Sequence, residues 1–241
     1  QDEDERALAW RGGPVTRKDA KRPCMTFTYS ATRFGMTDMI YQTLRVREAV
    51  EARCGTFRLR YVRLDWGYAH YERHGAVVPP DFLDVLRPFD AILLGAVGWP
   101  DKLPDHVTLA PLVKIRQTFE QYACIRPVKL LPGVRGVLAH RGPSDIDFVV
   151  LRENSEGEYV DSGSRFHVGQ EDEFAWQTAI HARRGVARIL RFGFDMARRR
   201  RRRLTMITKS NAQRYAYVLW DETLERLRGE YPDVESDKQQ A

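Results

Sequence analysis

The chain has 241 residues, of which 30% are charged and 43% hydrophobic, with a formal net charge of +6 and three cysteines. That length can bury a sizeable core and form two lobes, and the composition is that of an ordinary globular protein. No run approaches the roughly 18 apolar residues of a membrane span and no signal peptide is visible, so the expected location is intracellular, in the cytoplasm. Cys24, Cys54 and Cys124 are few, odd in number and far apart, which fits a reduced protein better than a disulfide scaffold, and there is no CxxC zinc pair. The positive charge permits an acidic partner without naming one: polyanionic nucleic acid and small carboxylates both stay open.

Residues 1–23 are charged and interrupted by Gly and Pro, and read as a mobile tail. "MTFTYS" from Met25 is a possible strand. "MIYQTLRVREAVEARC" places Ile40, Leu44, Val46 and Val50 at helical spacing, "FRLRYVRLDW" alternates as a strand does, and "PPDFLDVLRPF" reads as a short helix opened by proline. "DAILLGAVGW" is a buried strand ending at glycines, "LAPLVKIRQTFEQYA" a helix, "IRPVKLL" a strand and "DIDFVVLRE" another. Two helical stretches are expected across 172–200, then the strand "LTMIT" and a helix from about Ala212 to Arg228. Strands alternating with helices predict an α/β protein with a largely parallel sheet. The first residue is Gln, and the closing "DVESDKQQA" reads as the start of a strand, so both ends read as cut.

In such sheets ligands sit beyond the carboxyl ends of the strands, which here offer Gly95 to Trp99, Arg126, Arg152 and Lys209, with Arg116 on the preceding helix. Arginine's fork pairs bidentately with carboxylates, so this set suits a small di- or tricarboxylic acid. Spacing alone leaves the plainer alternative open, that each arginine is a surface residue. Gly95 and Gly98 would let the backbone approach a ligand, and Trp99 beside Pro100 reads as loop packing. The six histidines show no paired metal spacing; His106 could approach cofactor or substrate. The run Arg198 to Arg203 carries a rival, nucleic-acid-binding reading. Against it, no aromatic residues interleave with the run, and arginines favour a helix C-terminus through the helix dipole.

"DAILLGAVGWPDKLPDH", "KIRQTFEQYACIRPVKLLPGV", "DIDFVVLRENSEGEY", "RRGVARILRFGFDMA" and "TKSN" resemble, in order and spacing, the β-decarboxylating dehydrogenases, the family of isocitrate and isopropylmalate dehydrogenases. The resemblance runs from about Phe57 to Gln239, with a weak match back to Met25, and "GWPDKLPDH" is closer to the tartrate/D-malate branch. It implies an isopropylmalate dehydrogenase-like two-lobed fold, truncated at the C-terminus. The implied lobes are residues 24–122, the cofactor-side part, and an incomplete lobe 123–241 carrying the substrate arginines and dimer interface.

The implied activity is NAD-dependent oxidation, with decarboxylation, of a small 2-hydroxy dicarboxylic acid such as tartrate or D-malate. By resemblance Arg116, Arg126 and Arg152 clamp the carboxylates, Tyr159 protonates the enol carbon, Lys209 accepts the hydroxyl proton and Asn211 is a neighbouring contact. Gly95 and Gly98 would lie near the cofactor. Lys209 would reach in from a neighbouring subunit, which implies a homodimer. Glu153, Glu156 and Glu158 position the turn or pair with basic neighbours.

The chemistry fits that inventory. Nicotinamide takes the hydride, and a divalent metal, Mg²⁺ or Mn²⁺, stabilises the enolate left by loss of carbon dioxide. Three features depart from the family. Only Gly35 remains of its glycine-rich opening turn. Its metal-binding aspartates and adenosine loop fall beyond "DKQQ", so no metal ligand lies within this chain. Ala182 stands where a capping threonine is usual, a loss of about 1 kcal/mol. A truncated, catalytically incompetent family member is therefore the alternative to an active enzyme.

Overall fold

The computed structural model describes residues 24–30, 36–95, 97–99 and 101–241. The expected tail, residues 1–23, and the turn around Gly35 lie outside them. The chain divides into two compact units, Gln1–Ile115 and Arg116–Ala241. The division falls inside a helix and places Arg116 with the second unit, where the sequence reading drew the boundary after residue 122.

The first unit runs β1 (Cys24–Ser30), α1 (Met36–Cys54), β2 (Arg58–Arg63), α2 (Tyr68–His74), α3 (Phe82–Leu86), β3 (Ala91–Leu94) and α4 (Asp105–Thr118). Its strands form a parallel sheet in the order β2-β1-β3. Parallel pairing needs a crossover between neighbours, and α1 supplies the one between β1 and β2. Trp66, Val77, Leu86, Ile92, Leu112 and Ile115 line one apolar cleft. Beyond β3 the chain turns back on itself: Lys102 and Leu103 both donate their N–H to the Trp99 carbonyl, and Leu103 is fully buried as the anchor. Trp99 packs on Tyr68 at 4.7 Å with the Lys102 ammonium 4.3 Å from the indole, in keeping with the loop-packing reading. Helix α2 was not foreseen. One turn apart on it, His70 and His74 bring their rings to 4.5 Å, a pairing the sequence reading passed over.

The second unit runs β4 (Ala123–Lys129), β5 (Asp147–Glu153), β6 (Gly163–Phe166), β7 (Phe174–Gln177), α5 (Arg183–Arg198), β8 (Arg203–Thr208), α6 (Ala216–Arg228) and β9 (Glu235–Gln240). The pairs β4/β5 and β6/β7 are antiparallel and β8/β9 is parallel. The expectation of a largely parallel sheet therefore holds for β1–β3 and β8/β9 only. No helix separates β4 from β5 or β6 from β7, and without a crossover consecutive strands pair antiparallel. The stretch expected as a first helix from residue 172 is instead β7, whose "FAWQ" is half aromatic and suits a strand.

Helix α5 forms the core of this unit. Val186, Leu190 and Phe194 recur every fourth residue, joined by Ala197, and pack with Met206, Leu224, Leu227, Tyr231 and Val234. Phe194 is fully buried and stacks on Tyr231 at 4.5 Å. Burial of a side chain of that kind contributes about 1.5–3 kcal/mol.

The basic run ends this helix. Arg198 grips Asp233 through Nε and Nη2, Arg200 bonds Asp147 at 2.5 Å, Arg201 donates to the Asp147 carbonyl, and Arg203 pairs with Glu235 at 3.1 Å. Arg202 adopts φ 55° and returns its N–H to the Ala197 carbonyl, which closes the helix. Cys54 and Cys124 are free thiols, and no helix among the described residues is long and apolar enough to cross a membrane.

Candidate functional site

The register of β4 and β5 decides what shares a face. Cys124 lies opposite Arg152, and Arg126 opposite Val150. Directly paired residues point the same way and alternate residues return to the same face, so Cys124, Arg126, Val150 and Arg152 all sit on one side of the ribbon. On that face Arg126 and Arg152 are diagonal neighbours. Arg116, in the last turn of α4, joins them through Tyr159. Its guanidinium lies 5.9 Å from the phenol ring centroid, and that of Arg152 lies 5.3 Å away and donates to the phenol oxygen at 3.1 Å.

The cations feel one another. Burial, and then the like charge of Arg152, hold Arg116 below its ordinary pKa; Arg126 adds in the same sense, and Tyr159 and Cys124 oppose. An arginine so shifted remains charged. Elsewhere in the unit arginines meet acids: Arg188 with Glu153, Arg191 with Glu230, Arg198 with Asp233, Arg200 with Asp147. Among the described residues no carboxylate pairs with Arg116, Arg126 or Arg152. Nε of Arg152 is buried without a hydrogen-bond partner. A buried donor left unmade costs about 1–3 kcal/mol.

The loop carrying Tyr159 is fixed from several sides. Glu153 accepts from the N–H of Ser155 at 2.9 Å, the N–H of Glu156 at 2.7 Å and the Ser155 hydroxyl at 2.7 Å. Arg188 reaches from α5 to the same hydroxyl at 2.7 Å. The Gln117 side-chain amide ties the carbonyls of Ser155 and Tyr159 to α4, at 3.3 and 3.2 Å. Glu156 accepts the Ala182 N–H at 2.9 Å. Ala182, the residue before α5, supplies no side-chain cap, as its sequence implied, but a carboxylate 26 residues upstream serves that end of the helix. Gly185 makes room for it: a Cβ there would lie 2.3 Å from a Glu156 carboxylate oxygen. Glu153 and Glu156 thus shape the turn rather than face the arginines.

Lys209 follows β8. Its neighbours Thr208 and Ser210 both donate to Asp221, at 3.0 and 2.9 Å, and Lys238 joins them at 2.6 Å. Lys209 itself donates to the Ala241 carbonyl, and Asn211 is exposed. Among the described residues no hydrogen bond or ion pair joins either to Tyr159 or the three arginines. Gly95 and Gly98 follow β3 in the first unit. A Cβ at Gly98 would meet nothing within 4 Å, so the free chain gives no steric reason for glycine there. His106 is exposed. Sequence reasoning missed Asn154 and Asp221, polar side chains whose role lies in contacts distant along the chain.

The residues present do not fit a divalent metal: among the described residues no three His, Cys, Asp or Glu side chains are grouped to hold one. Nor do Gly95 and Gly98 by themselves define a nucleotide site.

Comparison with known proteins bears on this geometry. Residues 35–241 match the family described as isocitrate/isopropylmalate dehydrogenase. A probable tartrate dehydrogenase/decarboxylase from Agrobacterium vitis is 48% identical over 203 residues, which cover 83% of this chain and 56% of that one. The decarboxylating D-malate dehydrogenase of Escherichia coli K12 is 44% identical over 205 residues, 84% of this chain and 56% of that one. The crystal structure of isocitrate dehydrogenase from Methylococcus capsulatus superposes with a TM-score of 0.75 at 27% identity, covering 90% of this chain and 60% of that one. This chain thus spans little more than half the length of the relatives it matches. With 207 of its residues inside the match, from 35 to 241, the chain belongs to the isocitrate/isopropylmalate dehydrogenase family.

Proposed function

We propose that this chain carries the carboxylate-binding and proton-donating part of a decarboxylating dehydrogenase acting on a small 2-hydroxy dicarboxylic acid such as tartrate or D-malate. The observation that carries the reading is that Arg116 and Arg152 flank Tyr159, with Arg126 beside Arg152 on the same face of the ribbon, and that none of the three has a carboxylate partner among the described residues. A dianionic acid suits it: its carboxylates relieve the mutual repulsion of the guanidinium groups. Tyr159 is held beside that anion by Arg152, where its hydroxyl can protonate a carbon of the bound acid after carbon dioxide leaves. In this reading NAD would take the hydride and Mg²⁺ or Mn²⁺ would stabilise developing enolate charge. The described residues group no three side chains that would hold the metal.

Lys209 serves as base in this reading by approaching Tyr159 of a partner subunit in a homodimer; within the described residues its bond is to the Ala241 carbonyl, not to Tyr159. Isothermal titration of the full chain with D-malate and with tartrate tests the site. Binding that weakens tenfold or more in both Arg116→Ala and Arg152→Ala is expected. Binding indifferent to both substitutions refutes it.

A further inference from the structure

Asn154 is 6% exposed and lies against Arg152, two residues along the chain. We propose that it is a positioning residue that, through Arg152, sets the direction of the Tyr159 hydroxyl hydrogen. This rests on the reading of Tyr159 as a proton donor. The amide orientation is unambiguous. Asn154 Nδ2 donates to the Gln121 carbonyl at 3.2 Å, and a carbonyl can only accept, so the amide oxygen faces the other way. There it accepts from Nη2 of Arg152 at 2.9 Å. One backbone carbonyl thereby fixes the amide, and the amide fixes the rotation of the guanidinium about its own bonds.

The guanidinium then fixes the phenol. Nη1 donates to the Tyr159 oxygen at 3.1 Å, and arginine has no acceptor to offer in return. The phenol hydrogen therefore cannot lie on the Arg152 side of its oxygen and must point elsewhere, available to a bound anion. In the transfer, the O–H bond breaks and its electron pair stays on oxygen as phenolate. The carbanion's pair forms the new C–H bond. The Arg152 N–H that oriented the hydroxyl is then already in place on the negative oxygen, without reorganisation.

A merely structural asparagine would close the turn and nothing more. The two roles separate by spectroscopy on the full chain, labelled with ¹⁵N-arginine and with ¹³Cζ-tyrosine. With both Nη atoms hydrogen-bonded, rotation of the Arg152 guanidinium is slowed and its Nη signals are resolved; Arg152→Lys assigns them and Tyr159→Phe assigns the phenol carbon. Asn154→Leu keeps the volume but not the acceptor. It is expected to merge the Nη signals and move the Tyr159 carbon to its position in Arg152→Lys. If the leucine variant is unfolded, Asn154→Ser, too short to span the gap, takes its place with the same expectation. Resolved Nη signals and an unmoved Tyr159 carbon in the leucine or serine variant overturn the proposal. D-malate added to the wild-type chain should shift the Arg152 signals. A lack of response counts against the carboxylate site and leaves the Asn154 result standing.

Discussion

Substituting Gly185 by alanine pits two local effects against each other. Gly185 lies in the first turn of α5, and replacing glycine by alanine in a helix ordinarily gains about 0.5–1 kcal/mol. Here the new methyl would sit 2.3–2.4 Å from the three carboxylate atoms of Glu156, an approach no side chain tolerates. The carboxylate is the tip of a flexible side chain, so it can move aside; the cost is the bond it gives up. That bond holds the Ala182 N–H at 2.9 Å and places a negative charge at the positive end of the helix. A helix cap contributes about 1 kcal/mol, and a charge at a helix end about 0.3–1 kcal/mol more. Gly185→Ala should therefore destabilise the chain by roughly 0.5–1 kcal/mol, about 1–2 lost against 0.5–1 gained. In a Glu156→Ala background the obstacle and the cap are both already gone, and the same substitution should stabilise by about 0.5–1 kcal/mol. Urea unfolding of wild type, both single variants and the double variant measures the coupling, expected at about 1–2 kcal/mol. A Gly185→Ala effect of the same sign and size in both backgrounds would refute the assignment of Glu156 as the cap of α5.

Asp221→Asn should cost about 2 kcal/mol in urea unfolding, since the carboxylate receives Thr208, Ser210 and Lys238 together. Its pH dependence has a defined sign. Burial would raise the Asp221 pKa, but the hydrogen bonds from Lys238, Ser210 and Thr208 outweigh it and hold the group below its ordinary 3.8. The stability it supplies is fully present above that value and lost as pH falls through the lower folded one, so acid unfolding monitored by circular dichroism should be shallower below pH 3.8 in the variant. The basic run should not bind DNA with a steep salt response. Arg198, Arg200, Arg201 and Arg203 already have partners, and a log–log slope no steeper than about −2 is expected in fluorescence anisotropy. A slope near −5 would revive nucleic-acid binding. Light scattering at micromolar concentration should give twice the chain mass, and a strictly monomeric protein would count against Lys209 serving a neighbouring subunit.

Much of the fold was legible because it is written in local pattern. The core stripe of α5 and the apolar run of β5 repeat with the periods of helix and strand, and the pair Arg126 and Arg152 follows once β4 and β5 are strands in register. What escaped depends on contacts far apart in the chain or on weak local signals. Helix α2 is seven residues, "YAHYERH", rich in aromatic and histidine side chains and entered through Gly67 at φ 102° without a side-chain cap, so it announces nothing. The segment after residue 172 could be read as helix or strand, and only pairing of Phe174 with Phe166 across β6 decides it. Asn154 matters because it is buried against Gln121, and Glu156 because α5 begins where its carboxylate ends; neither partner is visible from its own neighbourhood in the sequence. The family resemblance supplied roles for Lys209 and Asn211 that one chain's geometry does not bring to Tyr159.

Six identical letters in a row, Arg198 to Arg203, invite the view that the positions are interchangeable, and Arg202 shows that they are not. At φ 55° it occupies a backbone region that side chains with a Cβ rarely adopt and that glycine enters freely. The run's chemical uniformity therefore hides an uneven tolerance to change. Glycine should be accepted at 202, even welcomed, while at 198 it would break the grip on Asp233 and weaken the helix. A valine, indifferent on grounds of charge at either site, should be worst at 202, because β-branched residues are the least able to turn left. A low-complexity tract can thus carry position-specific information, held in the backbone rather than in the letters.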